Sequence, residues 1–315
     1  MYADIQCSIK TGKSSMSGSS PVILLGAGRS GTTLLYKLLS AHPDIAYLSN
    51  YQNRWPVWPV TAITHRFLNI FPGLIGAAWF MRGGSAYFNE RRNWLKSLVP
   101  TPAEAESVYR ASGLPLSPGP EFDPSNELVR SITSNFERVR RLSGGKVVVT
   151  KRTANNRRIP ALNKIFPNAK YIHLVRDGRA VAYSLPRVGW WDADVLFWCG
   201  KSPKEMVAEG ADPIFLAARN WVEVMKYLQA GLQIIDSPNL LEVRYERLLA
   251  KPFEEIQRMV EFIGLESSLP NKYVKLVDSL QLKPRVEPWL KGWSVEKRKC
   301  VEEIQCEHLH RWGYL

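Results

Sequence analysis

Two glycine-containing loops hold the residues best suited to chemistry in this 315-residue chain. The first reads Gly26-Ala27-Gly28-Arg29-Ser30-Gly31-Thr32-Thr33. It follows a short apolar run (residues 22–25) and opens a stretch (32–40) with Leu34, Leu35, Leu38 and Leu39 at helical spacing. A strand, loop and helix in that order aim backbone N–H groups and a helix dipole at an anion. Three readings compete. As G-x-G-x-x-G the loop matches a dinucleotide fingerprint, which wants a carboxylate about 20 positions on; the next strand ends instead in Ser49-Asn50. As G-x4-G-x-T it is P-loop-like, but Thr32 stands where the lysine for a β/γ-phosphate pair belongs. The third reading keeps Arg29 as a cation inside the loop, with Ser30, Thr32 and Thr33 as hydroxyl donors, suited to one bulky 5′ anion group. A tight glycine turn without a ligand is the bland alternative.

The second loop is Val175-Arg176-Asp177-Gly178-Arg179, continuing to Ser184. Arg176 closes an apolar run and Ser184 falls two turns along the following helix, which places both where α/β sheets bind ligands. Alone, the pattern is also satisfied by a local Arg–Asp ion pair; together with the first loop it becomes specific.

Positioning these loops requires a sheet. Apolar runs at 22–25, 45–48, 146–150, 171–175 and 240–243 alternate with helical patterns at 32–40, 125–142, 156–166, from 178, 213–231 and 252–263, and a helical tail at 294–312. Near-continuous apolar strands alternating with helices predict an α/β fold, a P-loop-like three-layer sandwich with about five parallel strands and helices on both faces. Residues 1–20 are polar and read as a flexible tail without a signal sequence. Residues 21–315 read as a single domain, with a Pro- and Trp-rich insert at about 52–125 that includes Trp55, Trp58, Trp79 and Trp94. The apolar residues 67–81 are broken by Pro72 and fall short of the ~20 needed to span a bilayer. A buried or pocket-lining helix pair is expected there, with peripheral membrane contact as the alternative.

Composition narrows the partners. With 42 Lys+Arg against 29 Asp+Glu, the net charge of +13 favours an anionic partner. Basic pairs (Arg91-Arg92, Arg140-Arg141, Arg157-Arg158) are scattered and no nucleic-acid signature is present, so nucleic acid is not expected. The four cysteines (Cys7, Cys199, Cys300, Cys306) do not make a disulfide framework, and the Cys300, Cys306, His308, His310 spacing fits no zinc pattern. Reduced thiols and a cytoplasmic location are expected.

The motifs G-x-x-R-S-G-T-T-L-L and I-F-P-N-A-K-Y-I-H-L-V-R-D-G-R-A-V-A-Y-S together resemble the sulfotransferases that use 3′-phosphoadenosine 5′-phosphosulfate (PAPS), nearest the bacterial and tyrosylprotein-like branch. The resemblance covers residues 21–42 and 147–187 and continues through V-R-Y-E-R-L-L-A-K-P at 243–252. It implies a sulfotransferase moving a sulfuryl group from PAPS to a hydroxyl or amine of a small-molecule or lipid-like acceptor. By position, Arg29, Ser30, Gly31, Thr32 and Thr33 would hold the 5′-phosphosulfate, and Arg176 and Ser184 the 3′-phosphate. Lys151 would lie near the bridging oxygen and Tyr245 beside the nucleotide. Because sulfuryl transfer is mostly positioning plus positive charge, Arg29 and Lys151 can serve without a metal.

Where the tyrosylprotein branch has a Glu after A-H-P-D, this chain reads Ala46 to Tyr51 without a carboxylate. That leaves the base open. Glu104 is a candidate, although Thr101-Pro102-Ala103-Glu104 also fits a capping box with Pro at N1. His42 is a base by type, with helix capping as its alternative, and Asp44 reads as a turn residue. Asn50 and Asn53 are acceptor hydrogen-bonders or surface turns. Trp55, Trp58, Trp190, Trp191 and Trp198 suggest an aromatic acceptor wall. Lys283 and Arg285 sit in a late loop able to close over the cofactor. The rival function is a P-loop-type kinase acting on a small molecule. Acceptor identity and oligomeric state are not encoded in any motif.

Overall fold

The computed structural model describes residues 20–80, 98–119, 121–284 and 286–315. The expected tail up to residue 19, with Cys7, therefore lies outside the described residues, as do Met81, Arg91-Arg92, Trp94 and Arg285.

Five strands, β1 (Val22–Leu25), β2 (Ile45–Tyr47), β3 (Val147–Lys151), β4 (Lys170–Val175) and β5 (Leu240–Arg244), pair in parallel in the order β2-β3-β1-β4-β5. The strands are short apolar runs because both faces are covered. Val22 and Leu24 pack into one core with Val147, Val149, Ile172 and Leu174; Ile23 and Leu25 pack into the other with Val148, Tyr171 and Val175. The first core is closed by helices Thr32–Ser40, Pro252–Phe262 and Asn271–Ser279, the second by Asn126–Ser143, Ile159–Ile165, Pro213–Leu232 and Val295–Arg311. This is the α/β architecture expected from the sequence, with five parallel strands and helices on both faces.

The strand order sets the place of the site. The chain leaves β1 toward β2 through a helix on the first face, and leaves β4 toward β5 through helices on the second. The loops after β1 and β4 therefore part between neighbouring strands, which opens a crevice at their carboxyl ends.

Two segments differ from expectation. The helix expected at 156–166 splits into a 3-10 turn (Thr153–Arg157) and a helix (Ile159–Ile165) with Pro160 in its first turn. The apolar stretch from residue 67 does form a helix pair, Thr64–Ile70 and Pro72–Trp79, that buries Leu68, Ile75 and Trp79. It leaves Phe67, Ile70, Phe71 and Leu74 exposed and is not part of the lining of the cavity of about 910 Å³ described below.

Candidate functional site

The loop after β1 is fixed by close approach and by hydrogen bonds. Gly31 has φ 90°, and a Cβ there would sit 2.4 Å from the ring of Tyr245. Only glycine accepts both the left-handed backbone and the contact. Asn156 clamps the base of the loop, donating from Nδ2 to the Gly26 carbonyl at 2.9 Å and accepting from the Gly26 N–H at 3.2 Å. Arg29 also holds a positive φ of 68°. Such a conformation costs roughly 1–3 kcal/mol and persists only where the surroundings enforce it. Here Arg29 Nε donates to Ser184 Oγ at 3.0 Å, and Arg176 Nη1 donates to the Arg29 carbonyl at 3.1 Å. Arg176 in turn lies over the Tyr245 ring at 4.6 Å and pairs with Glu287 at 3.4 Å.

The second cluster lies at the end of β3. Lys151 is almost wholly buried, and its Nζ donates to Glu104. The other Glu104 oxygen accepts from Arg152, whose Nε reaches Glu106 at 2.9 Å; Glu106 then pairs with fully buried Arg158 at 2.6 Å. Acid and base alternate along this ladder, so each buried charge has a partner. Burial pushes the Glu104 carboxyl up, but Lys151 and Arg152 outweigh it and hold the group at about 2.

Glu104 is not a helix cap. Residue 105 takes a left-handed φ of 41°, the helix Glu106–Ala111 starts after it, and Pro102 forms an isolated bridge with Ser49. The capping-box reading of Thr101–Glu104 is thereby corrected: the pattern is present without the helix.

Both clusters open onto one cavity of about 910 Å³. Gly28, Arg29, Gly31, Thr32 and Thr33 line one end with Arg176 and Tyr245. Lys151, Glu104 and Arg152 lie on the wall, Trp190 borders the loop at Gly28, and Leu116, Val195, Phe197, Val224 and Tyr227 are apolar residues of the same lining. Asp194 and Arg157 are further charged groups of that lining. Burial raises the Asp194 carboxyl even though Arg157 and Arg152 oppose it.

Other expected residues fall elsewhere. Ser30 is buried behind the loop and Ser184 meets Arg29, so neither lines the cavity. Lys283 is exposed and away from the cavity wall; Glu287 and Pro288 are the residues that the late loop brings there. His42 is buried off the cavity and accepts from the Asp44 N–H at 3.2 Å, which makes it a turn residue. Asn50 joins Thr101 and Asn53 joins Ser107, tying loops together. Of the five tryptophans, Trp190 and Trp191 line the cavity; Trp198 donates to Asn220, while Trp55 and Trp58 are exposed on another surface. Cys199, Cys300 and Cys306 are exposed free thiols, and among the described residues no His, Cys, Asp and Glu cluster is placed to hold a metal. No helix among them is long and apolar enough to cross a membrane.

The sequence reading missed Asn156, Arg152 and Glu106. The run of Lys151, Arg152, Asn155 and Asn156 after β3 was the available signal, being polar where a strand meets a helix.

With this geometry established, comparison with known proteins gives a consistent answer. The pattern of the sulfotransferase family (Sulfotransfer_3) matches residues 21–66 and 93–268. The chain belongs to this family of enzymes. It is 24% identical over 318 aligned residues to the omega-hydroxy-beta-dihydromenaquinone-9 sulfotransferase Stf3 of Mycobacterium bovis, covering 93% of this chain and 75% of that protein. It is 22% identical to the protein-tyrosine sulfotransferase A of Caenorhabditis elegans, over 78% of this chain and 50% of that one. Among solved structures, sulfotransferase STF9 from Mycobacterium avium superposes with a TM-score of 0.57 at 17% identity, covering 93% of this chain and 76% of that one, a likeness of fold.

Proposed function

We propose that this sulfotransferase moves the sulfuryl group of PAPS to a hydroxyl, or an amine, of a small lipid-like acceptor by in-line displacement. The observation that carries this reading is one cavity lined both by the cations Arg29, Arg176 and Lys151 and by apolar side chains. A nucleotide with two anionic groups, a 3′-phosphate and a 5′-phosphosulfate, suits the cations, and an apolar acceptor suits the apolar wall. One further observation bears on the fit of the nucleotide: Arg176 Nε is buried with no hydrogen-bond partner among the described residues. A guanidinium with a spare buried donor suits a phosphate.

In this reading Arg29, Gly31, Thr32 and Thr33 receive the 5′-phosphosulfate through loop N–H groups and hydroxyls. Arg176 takes the 3′-phosphate, with Ser184 acting through Arg29, and Tyr245 flanks the nucleotide. The acceptor oxygen forms a bond to sulfur as the bond from sulfur to the 5′-phosphate oxygen breaks, and the electron pair stays on that phosphate oxygen. Lys151 and Arg29 stabilise the charge that develops there. The acceptor proton passes to Glu104. While Glu104 is paired with Lys151 and Arg152 it is a weak base; when Lys151 turns to the leaving oxygen, one of the two charges that hold the carboxyl low is withdrawn, and burial, opposed now by Arg152 alone, raises its affinity for the proton.

The lipid-like acceptor draws support from the apolar wall and from Stf3, whose name describes a hydroxylated menaquinone as its substrate. The kinase alternative falls with the family assignment. The experiment is transfer of radiolabelled sulfate from PAPS to a panel containing a long-chain polyprenyl alcohol, a phenol and a tyrosine peptide. Label in the polyprenyl product supports the proposal; label confined to the phenol or the peptide would replace the acceptor, and label in none of them would overturn the lipid-like acceptor.

A further inference from the structure

We infer that residues 55–74 form a docking surface for an anionic lipid bilayer, on which this enzyme rests without spanning it. The inference stands apart from the donor and acceptor assignments above, because none of its residues lines the cavity.

The surface is apolar where a folded chain is normally polar. Helix Thr64–Ile70 buries His65 and Leu68 and turns Phe67 and Ile70 outward; Phe71 and Leu74 continue the same spacing. The preceding turn adds Trp55, Val57, Trp58, Val60 and Ile63, all exposed. Val57, Trp58, Phe67 and Phe71 are 60% exposed or more. Single exposed apolar side chains are ordinary, but this many in one segment mark an interaction surface.

Charge selects the partner. No Asp or Glu occurs between Asp44 and Glu90, whereas Arg54 and Arg66 are exposed within that interval and the chain carries a net charge of +13. Apolar and aromatic side chains flanked by arginine, on a segment with no acidic residue of its own, complement anionic headgroups above an acyl layer. Neither helix of the pair is long enough to cross a bilayer, so the contact is interfacial. The family pattern also skips residues 67–92, so Phe67, Ile70, Phe71 and Leu74 lie in a part of this chain that the common fold does not require. The patch begins just past helix Asn50–Arg54, which Ser107 ties down by donating to the Asn53 carbonyl at 2.5 Å. Ser107 lies three residues beyond Glu104, so the docking surface is coupled to the cavity wall through a short piece of chain.

The test is co-sedimentation of the full chain with vesicles of phosphatidylcholine alone or mixed with phosphatidylglycerol, without nucleotide. Binding to the mixed vesicles, weakened by salt, is expected. The triple variant Trp58→Ser, Phe67→Ser, Phe71→Ser should lose at least about tenfold in partitioning, as removal of buried aromatic area predicts. Arg54→Glu should lose about fivefold on anionic vesicles only. Phe67→Ser alone, in a side chain that the fold leaves exposed, serves as the second variant if the triple one does not fold; it should show a smaller loss in the same direction. Absence of binding by the unmodified chain overturns the inference, as does equal binding by the variants. A dimer in light scattering that the Phe67→Ser substitution dissociates, with no vesicle binding, would assign the surface to a second copy instead.

Discussion

Arg29 donates from its Nε to Ser184 Oγ at 3.0 Å, a bond between residues 155 apart in the chain that joins the loop after β1 to the helix after β4. Arg176 closes the link from the other side, through the Arg29 carbonyl. The two sequence motifs are therefore one unit, held across the crevice where the connections after β1 and β4 leave toward opposite faces of the sheet. Ser184 meets Arg29 and is not among the residues that line the cavity.

Arg29→Ala and Arg176→Ala are each expected to weaken binding of 3′-phosphoadenosine 5′-phosphate by roughly 1.5–3 kcal/mol, the range for a charge-assisted contact. Isothermal titration of the purified variants measures it. Unchanged affinity in both would remove the two arginines from the nucleotide site.

Lys151→Ala should lower kcat by about 10²-fold with little change in KM for PAPS, since its proposed charge acts on the leaving oxygen and not on the resting nucleotide. Steady-state kinetics with varied PAPS separates the two parameters. A rise in KM at constant kcat would make Lys151 a binding group.

The pairing of Glu104 sets a pH signature on stability. Its carboxyl lies at about 2 in the folded chain against an ordinary 4.5. A depressed carboxylate contributes stability that is fully present above the unfolded value and is lost as pH falls through the folded one. The melting temperature of the unmodified chain should therefore fall more steeply than that of Glu104→Gln between about pH 4.5 and pH 2. Their difference should be constant above about pH 5.5. Parallel curves across the acid range would show that the ion pairs of Glu104 contribute nothing to the fold. At neutral pH, Glu104→Gln should also abolish most turnover while leaving nucleotide binding in place.

Gly31→Ala tests the packing of Tyr245 against the loop. A methyl group at φ 90° meets the ring at 2.4 Å, so the substitution should cost roughly 1–3 kcal/mol in urea unfolding and weaken nucleotide binding as Tyr245 is displaced. Wild-type stability would mean that the loop relaxes freely.

The sheet was legible in the sequence because parallel strands covered on both faces are continuous apolar runs: β1 was placed residue for residue and β3 within one. The phosphate-type loop was legible because glycine spacing and Arg29 are local. The Glu104 site was only half legible. A capping-box pattern competes with the catalytic reading, and what removes the cap is the left-handed turn at Ala105, which no propensity marks. The polar run after β3 marks Asn156 as a candidate, but its partner is not legible, since its bonds to Gly26 span 130 residues. Trp55 and Trp58 differ from the expected acceptor wall because composition groups aromatic residues without regard to position, and the fold leaves these two exposed while Trp190 and Trp191 line the cavity.

The most direct test of the donor site is a thermal shift of the unmodified chain with 3′-phosphoadenosine 5′-phosphate, set beside ATP–Mg and NAD. A ligand at 100 times its Kd adds about 2.7 kcal/mol, which moves Tm by several degrees. The cavity chemistry predicts a rise with the 3′,5′-bisphosphate that exceeds both others and falls to about half or less in Arg176→Ala at the same ligand concentration. An equal or larger rise with ATP–Mg, unaffected by Arg176→Ala, would contradict it.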